Sequence, residues 1–190
     1  MADTNKIKYG IKNVYYAVAT LAANGSATYG NPVALPGAVN LSLDAQGDST
    51  PFYADNIVYY TSVANNGYEG DLELAKIPDS FLTDVLGYGT DTNDVMYEDA
   101  NAPVVHFALT FQFEGDVHAK RHVLYNCTAT RPTISGATKE ESIEPQTESI
   151  SITATTVYNA TLDKDIVKAS CTPSESTQYN AWNTTIYQTA

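Results

Sequence analysis

Val105, Phe107, Leu109, Phe111 and Phe113 alternate with His106, Ala108, Thr110, Gln112 and Glu114. This period of two predicts a strand with one apolar face and one wet face. Runs rich in Tyr, Val, Ile and Thr recur at Val14–Leu21, Val39–Asp44, Tyr53–Val63, Tyr68–Lys76, Val104–Glu114, Lys120–Thr130 and Glu148–Tyr158. Turn signals punctuate them: Asn24-Gly25-Ser26, Leu35-Pro36-Gly37, Gln46-Gly47-Asp48, Asn65-Asn66-Gly67, Glu114-Gly115-Asp116 and Arg131-Pro132. Strands in succession without alternating helices predict a mainly β chain, an antiparallel β-sandwich or partly closed barrel.

One short helix interrupts the strands. Asp79 or Ser80 is positioned to cap it, Phe81, Leu82, Val85 and Leu86 share one face, and Gly87 ends it. About two turns are not stable alone, so this helix must lie against a sheet. Tyr179, Trp182 and Ile186, at i, i+3 and i+7, suggest a second short helix near the end. No repeat or linker divides residues 1–190, and a chain of 190 residues buries about 70% of its extended surface around a single core. It reads as a single domain. The first dozen residues and Thr172–Gln178 read as its loosest parts.

Charge changes the functional picture. Ten Lys and Arg stand against 22 Asp and Glu, a net charge of −12. Affinity for nucleic acid comes chiefly from basic side chains on phosphate, so a gripping DNA complex is not expected. No apolar run approaches the roughly 20 residues that span a bilayer. The start, Met1-Ala2-Asp3-Thr4-Asn5-Lys6, lacks the pattern of a secretory signal, so a soluble cytoplasmic chain with reduced thiols is expected. Cys127 falls on the parity of Val123 and Tyr125, which predicts a buried structural thiol.

Candidate chemistry is thin. His106 lies on the polar parity of its strand. His118 and His122 are four positions apart, about 13 Å along a strand, too far to share an ion without a turn between them. Asp91 and Asp94 lie in a polar loop, and Asp44 and Asp48 flank a glycine turn that needs no ligand. No phosphate loop, nucleophile elbow or zinc-protease helix is present in the sequence. The reading is of no catalytic residue, no cofactor and no metal, hence not an enzyme.

Two features point to surfaces instead. Glu69, Asp71 and Glu73 share one strand face, with Leu72 and Leu74 on the other. Neighbouring carboxylates stand about 7 Å apart and repel by about 0.6 kcal/mol in water, or about 2.4 at an effective dielectric constant of 20. That face must stay hydrated, either as a plain solvated surface or as one kept negative so that a polyanion slides past. Tyrosine is the second oddity, 14 against five Phe and one Trp. Tyr suits surfaces that are hidden only on association. The total at Tyr15-Tyr16, Tyr53 and Tyr59-Tyr60 favours an assembling protein.

Several runs are also familiar. Tyr9-Gly10-Ile11-Lys12-Asn13-Val14-Tyr15-Tyr16, Phe52-Tyr53-Ala54-Asp55-Asn56-Ile57-Val58-Tyr59-Tyr60 and Gly67-Tyr68-Glu69-Gly70-Asp71-Leu72-Glu73 resemble the major tail proteins of bacteriophages with long, flexible, non-contractile tails. Ile77-Pro78-Asp79-Ser80-Phe81, Asp84-Val85-Leu86-Gly87, Tyr125-Asn126-Cys127 with Arg131-Pro132, and above all Glu140-Glu141-Ser142-Ile143-Glu144-Pro145-Gln146-Thr147-Glu148 carry the same resemblance, from about Tyr9 to Tyr187. Thr172–Gln178 departs most from it.

The resemblance implies a structural virion protein, a tail tube subunit with a β-sandwich flanked by a helix. Such subunits form hexameric rings stacked into a hollow tube, assembled in the host bacterial cytoplasm. Their inner sheets join into a barrel around a channel for the tape measure protein and later for DNA, which passes without stable binding. An N-terminal arm, here residues 1–13, and loops reach neighbouring rings; tail terminator and tail-tip or baseplate proteins are further partners, with no membrane. On this reading Asp44, Asp55, Glu69, Asp71 and Glu73 are the candidate channel residues. Tyr15, Tyr53, Tyr59, Glu140, Glu141 and Glu144 are the candidate subunit-interface residues. Two rivals remain: a β-sandwich binding or adhesion module, for which a single Trp is a poor aromatic platform, and a carboxylate enzyme, for which no facing pair is visible.

Overall fold

The alternating run around Phe107 becomes the central strand of the molecule, yet both its faces are covered. The computed structural model describes residues 7–138, 145–174 and 176–188. The long strands are β1 (Tyr9–Leu21), β4 (Ala38–Gln46), β7 (Gly67–Leu74), β10 (His106–Glu114), β11 (Arg121–Ala129) and β12 (Glu148–Thr155). Shorter ones are β2 (Ala27–Tyr29), β3 (Val33–Ala34) and β15 (Lys168–Cys171). Together they form one antiparallel sheet in the order β2-β1-β10-β11-β12-β7-β4, with β15 on β11 and β3 on β1. Three ribbons stand apart from it: β5 (Ser49–Ala54) with β6 (Ile57–Val63), β8 (Tyr88–Thr90) with β9 (Met96–Glu98), and β13 (Val157–Asn159) with β14 (Lys164–Ile166).

One strand turns this sheet into two layers. Along one edge, β11 pairs with β15 through Arg121–Leu124 and with β12 through Asn126–Ala129. On its other edge a register shift opposes Phe107–Leu109 to Leu124–Cys127, one extra residue on β11. Such a bulge bends the strand and lets it serve two layers. The last strand, β4, comes back beside β1, with no backbone pairing between the two among the described residues. The fold is thus a β-sandwich and not a closed barrel. The bulge also corrects the parity expected for Cys127. That thiol is buried, but in the core with Leu124 and Phe107, while Val123 and Tyr125 face the opposite side.

The main core lies between the layers, built from Tyr16, Leu72, Leu74, Phe107, Leu109, Ile150 and Ile152, all fully buried. Helix α1 (Asp79–Asp84) closes it. Phe81 points inward and meets Tyr16 edge-on at 5.1 Å and Phe107 at 5.6 Å. The Tyr16 hydroxyl donates to Asp84 Oδ2 at 2.8 Å, and burial pushes its pKa up to about 12. The cap position is Pro78, which makes no side-chain cap, so the expected Asp79 or Ser80 cap is replaced by a φ already fixed by the pyrrolidine ring. Because α1 is held by its core anchor rather than its cap, Phe81→Ala is expected to cost about 3–5 kcal/mol. Urea unfolding followed by circular dichroism measures this; a loss below about 1 kcal/mol would show that α1 is peripheral.

A second cluster covers the face of β10 that was expected to be wet. Ala108, Thr110 and Gln112 are buried there beneath α2 (Ser176–Ala181) and the residues after it. Trp182 donates its indole N–H to His122 O at 3.3 Å and stacks on Tyr187, while the Tyr179 hydroxyl donates to Ala119 O at 3.0 Å. The polar side chains on that face reflect a partly polar interlayer, with Gln112 accepting from Asn13 at 2.9 Å. Two strand boundaries also differ from expectation. Tyr53–Val63 is two strands meeting at Asp55-Asn56, and Glu148–Tyr158 breaks at Thr156.

Candidate functional site

The wet face of this molecule lies on β4, β7 and β12, where alternation is strict. Leu41, Leu43, Leu72, Leu74, Ile150 and Ile152 turn toward the core, so the residues between them face outward. Register brings these into rows. Asp71 stands between Ser42 and Ser151, Glu69 between Asp44 and Thr153, and Glu73 between Asn40 and Ser149. Every position in these rows is hydroxyl, amide or carboxylate, and none is Lys or Arg. Close approach of the strands is enforced at Gly70, where a Cβ would sit 1.9 Å from Ser42 O.

The electrostatics of this face follow from the register. Glu69 and Asp44 are direct cross-strand partners, and like charges placed so are destabilising. At about 5 Å they repel by about 0.8 kcal/mol in water and several times more if water is withdrawn. The other two carboxylates are held by neighbouring hydroxyls: Ser151 Oγ donates to Asp71 at 2.6 Å and Thr147 Oγ1 to Glu73 at 2.5 Å. The face is an accessible, negative, hydroxyl-rich surface whose paired rows carry no basic side chain among the described residues. Asp44, Glu69, Asp71 and Glu73 are brought together here. Asp55 is not among them, since it occupies the tip of the β5–β6 ribbon.

That ribbon is the second distinctive surface. Asp55 and Asn56 both have positive φ, 53° and 62°, a two-residue turn whose twist suits a hairpin. Phe52, Tyr53, Ile57, Tyr59 and Tyr60 are all more than 60% exposed, and none of the ribbon's residues belongs to either core cluster. Apolar side chains on both faces of a ribbon that covers nothing exceed what an isolated subunit needs. Of the expected interface residues, Tyr53 and Tyr59 lie here, whereas Tyr15 is half-buried in β1 opposite Thr110. Glu140, Glu141 and Glu144 lie outside the described residues. Sequence reasoning missed Phe52, Ile57 and Tyr60 as a surface. The available signal was a run apolar at both parities around Asp55-Asn56, which a half-buried strand does not show.

The other chemical candidates have structural partners. His106 Nδ1 is 2.7 Å from Asn126 Oδ1, and His122 stacks on Phe111 with burial lowering its pKa. The Asp91 carboxylate accepts from Asn93 N and Val95 N, which lower its pKa. Among the described residues no cluster of His, Cys, Asp or Glu could hold a metal, and no helix is long and apolar enough to cross a membrane.

Among curated proteins none matches. A solved structure, the tube terminating cap of the anti-feeding prophage, is similar over 90% of this chain and 97% of its own, at 14% identity and a TM-score of 0.39. The family model described as phage tail tube protein matches residues 2–187, nearly the whole length. A two-layer β fold with one hydrated acidic face and one uncovered apolar ribbon is therefore that of a structural tail component, and the chain belongs to the phage tail tube protein family.

Proposed function

We propose that the chain is the major subunit of the tail tube, forming hexameric rings that stack into a hollow conduit for DNA. The observation that carries this is the division of labour between surfaces. The acidic β4-β7-β12 face lines the channel, and the apolar β5–β6 ribbon packs against a neighbouring copy. Joining the free edge of β4 to the sheet of the next subunit removes an exposed edge that a lone sandwich must protect. A wall of hydroxyls and carboxylates repels the phosphate backbone, so DNA passes without sticking. The tape measure protein occupies the channel before DNA, and tail terminator and tail-tip proteins close the ends. Assembly takes place in the host cytoplasm, and each weak contact is multiplied over several neighbours.

Function here is positional and involves no bond-making step. The test is negative-stain electron microscopy of the purified chain over a concentration series, beside size-exclusion chromatography, with and without purified tail-tip complexes. Rings or hollow tubes are expected, at high concentration or upon addition of the initiating complex. A chain that stays monomeric under both conditions would overturn the reading.

A further inference from the structure

One region of this acidic molecule carries the opposite charge. At the end of the sandwich where β7 begins, a cleft of about 270 Å³ opens between β4, β7 and β10. Leu41, Leu43, Tyr68 and Phe113 form its apolar wall. Lys8 lies 4.4 Å over the Phe113 ring and Lys168 lies 4.5 Å over the Tyr68 ring. Neither ammonium is within salt-bridge distance of a carboxylate among the described residues. Burial, with the charges of Lys168, Lys120 and Lys8 beside it, lowers the pKa of the nearby His122, while Asp116 raises it. The cleft lies at the small end of the roughly 300–1,000 Å³ range of ligand pockets, and its apolar wall between two ammonium groups suits an aliphatic side chain flanked by acids.

We propose that this cleft receives the Glu140-Glu141-Ser142-Ile143-Glu144 segment of a neighbouring copy. The segment is chemically complementary: three carboxylates surround one isoleucine. Ile143 fills the apolar wall, and the glutamates meet Lys8 and Lys168, whose stems already lie along aromatic rings. A neighbouring copy is favoured over the same chain by reach. Glu148 pairs with Leu74, at the far end of β7 from Tyr68, about 20 Å away at 3.3 Å per residue. Five residues fully extended span at most about 18 Å, less than the separation of Glu148 from the Tyr68 end of the cleft, where Lys168 sits. The inference rests on the self-assembly reading above and names the contact that assembly uses.

The experiment is a fluorescence-anisotropy titration of a labelled peptide of residues 137–147 with the full-length chain at a concentration where it is monomeric. Saturable binding is expected, weakened more than about tenfold by Lys8→Glu with Lys168→Glu and weakened by raised salt. A peptide carrying Glu140→Lys, Glu141→Lys and Glu144→Lys is expected to reverse the preference, binding the double variant and not the parent. Both lysines are exposed, so the variant should fold; if it does not, the reversed peptide against the parent chain decides alone. Absence of saturable binding, or equal binding of both peptides, overturns the inference. Tubes without peptide binding would defeat this contact only, and peptide binding without tubes would defeat the assembly reading only.

Discussion

Replacing Phe52, Tyr59 and Tyr60 together with serine is expected to yield a folded monomer that forms no tubes. The separation of fold and assembly follows from where these residues sit. None belongs to either core, and the β5–β6 ribbon pairs only with itself, so removing its apolar side chains leaves the sandwich untouched. Thermal or urea unfolding should therefore shift by no more than about 0.5 kcal/mol, the ordinary range for surface substitutions. Assembly should respond very differently. Aromatic anchors at the centre of an interface typically carry about 2 kcal/mol or more each. Loss of only two such anchors, about 4 kcal/mol, weakens a contact about a thousandfold. Every subunit would lose its contact at once, so avidity compounds the loss instead of rescuing it. Circular dichroism reads the fold, and sedimentation with electron microscopy reads the tubes. Tubes of normal length from this variant would show that the ribbon is not an interface.

Much of this arrangement is legible in the sequence, and the parts that are not have physical reasons. Strict alternation at Leu41–Asp44, Glu69–Leu74 and Ser149–Ala154 predicts a strand with one face wet, because each strand has a single buried face and a period of two records it. The β10 pattern misleads because Ala108, Thr110 and Gln112 look solvent-facing. They are covered instead by Trp182, Tyr179 and neighbours about 70 residues later in the chain, a contact no local window can register. The spacing of Tyr179, Trp182 and Ile186 suggests a helix, but α2 ends at Ala181, and Trp182 and Ile186 reach the second core from the residues that follow it. The parity of Cys127 fails for a different reason: one inserted residue on β11 flips every later side chain, and nothing local in Leu124-Tyr125-Asn126 announces the bulge. In the candidate site, parity alone puts Glu69, Asp71 and Glu73 on one face, and only the register across β4 and β7 brings Asp44 beside Glu69. Asp55 does not join them, because Tyr53–Val63 is a hairpin with Asp55 at its turn and not one continuous strand. With its Asp-Asn turn recognised, the same residues would have marked an exposed ribbon.

Changing Glu69, Asp71 and Glu73 together to lysine is expected to leave tubes intact and to block delivery of DNA. The fold should tolerate the change. Glu69 faces Asp44 across the strands, so a lysine at position 69 replaces a repulsion with an attraction. Asp71 and Glu73 accept bonds from Ser151 and Thr147, both on an accessible face where water can take over. If this face lines the channel as proposed, its wall would change from one that repels phosphate to one that grips it. Each subunit swaps three negative charges for three positive ones, and a basic surface binds DNA without sequence preference at about 10⁻⁴ to 10⁻⁶ M at physiological salt. Repeated along the tube, that grip holds the passing DNA at every ring. Complementation of a phage lacking its own tail tube gene should then give normal-looking particles whose plaque count falls by at least about a hundredfold, on the strength of that phosphate affinity. Purified variant tubes should co-sediment with linear duplex DNA and release it as salt is raised, whereas parent tubes should not bind it. The isosteric control, Glu69→Gln with Asp71→Asn and Glu73→Gln, separates loss of repulsion from gain of attraction and should impair delivery far less. Normal infectivity of the lysine variant would remove these carboxylates from the channel, and with them the assignment of the β4-β7-β12 face.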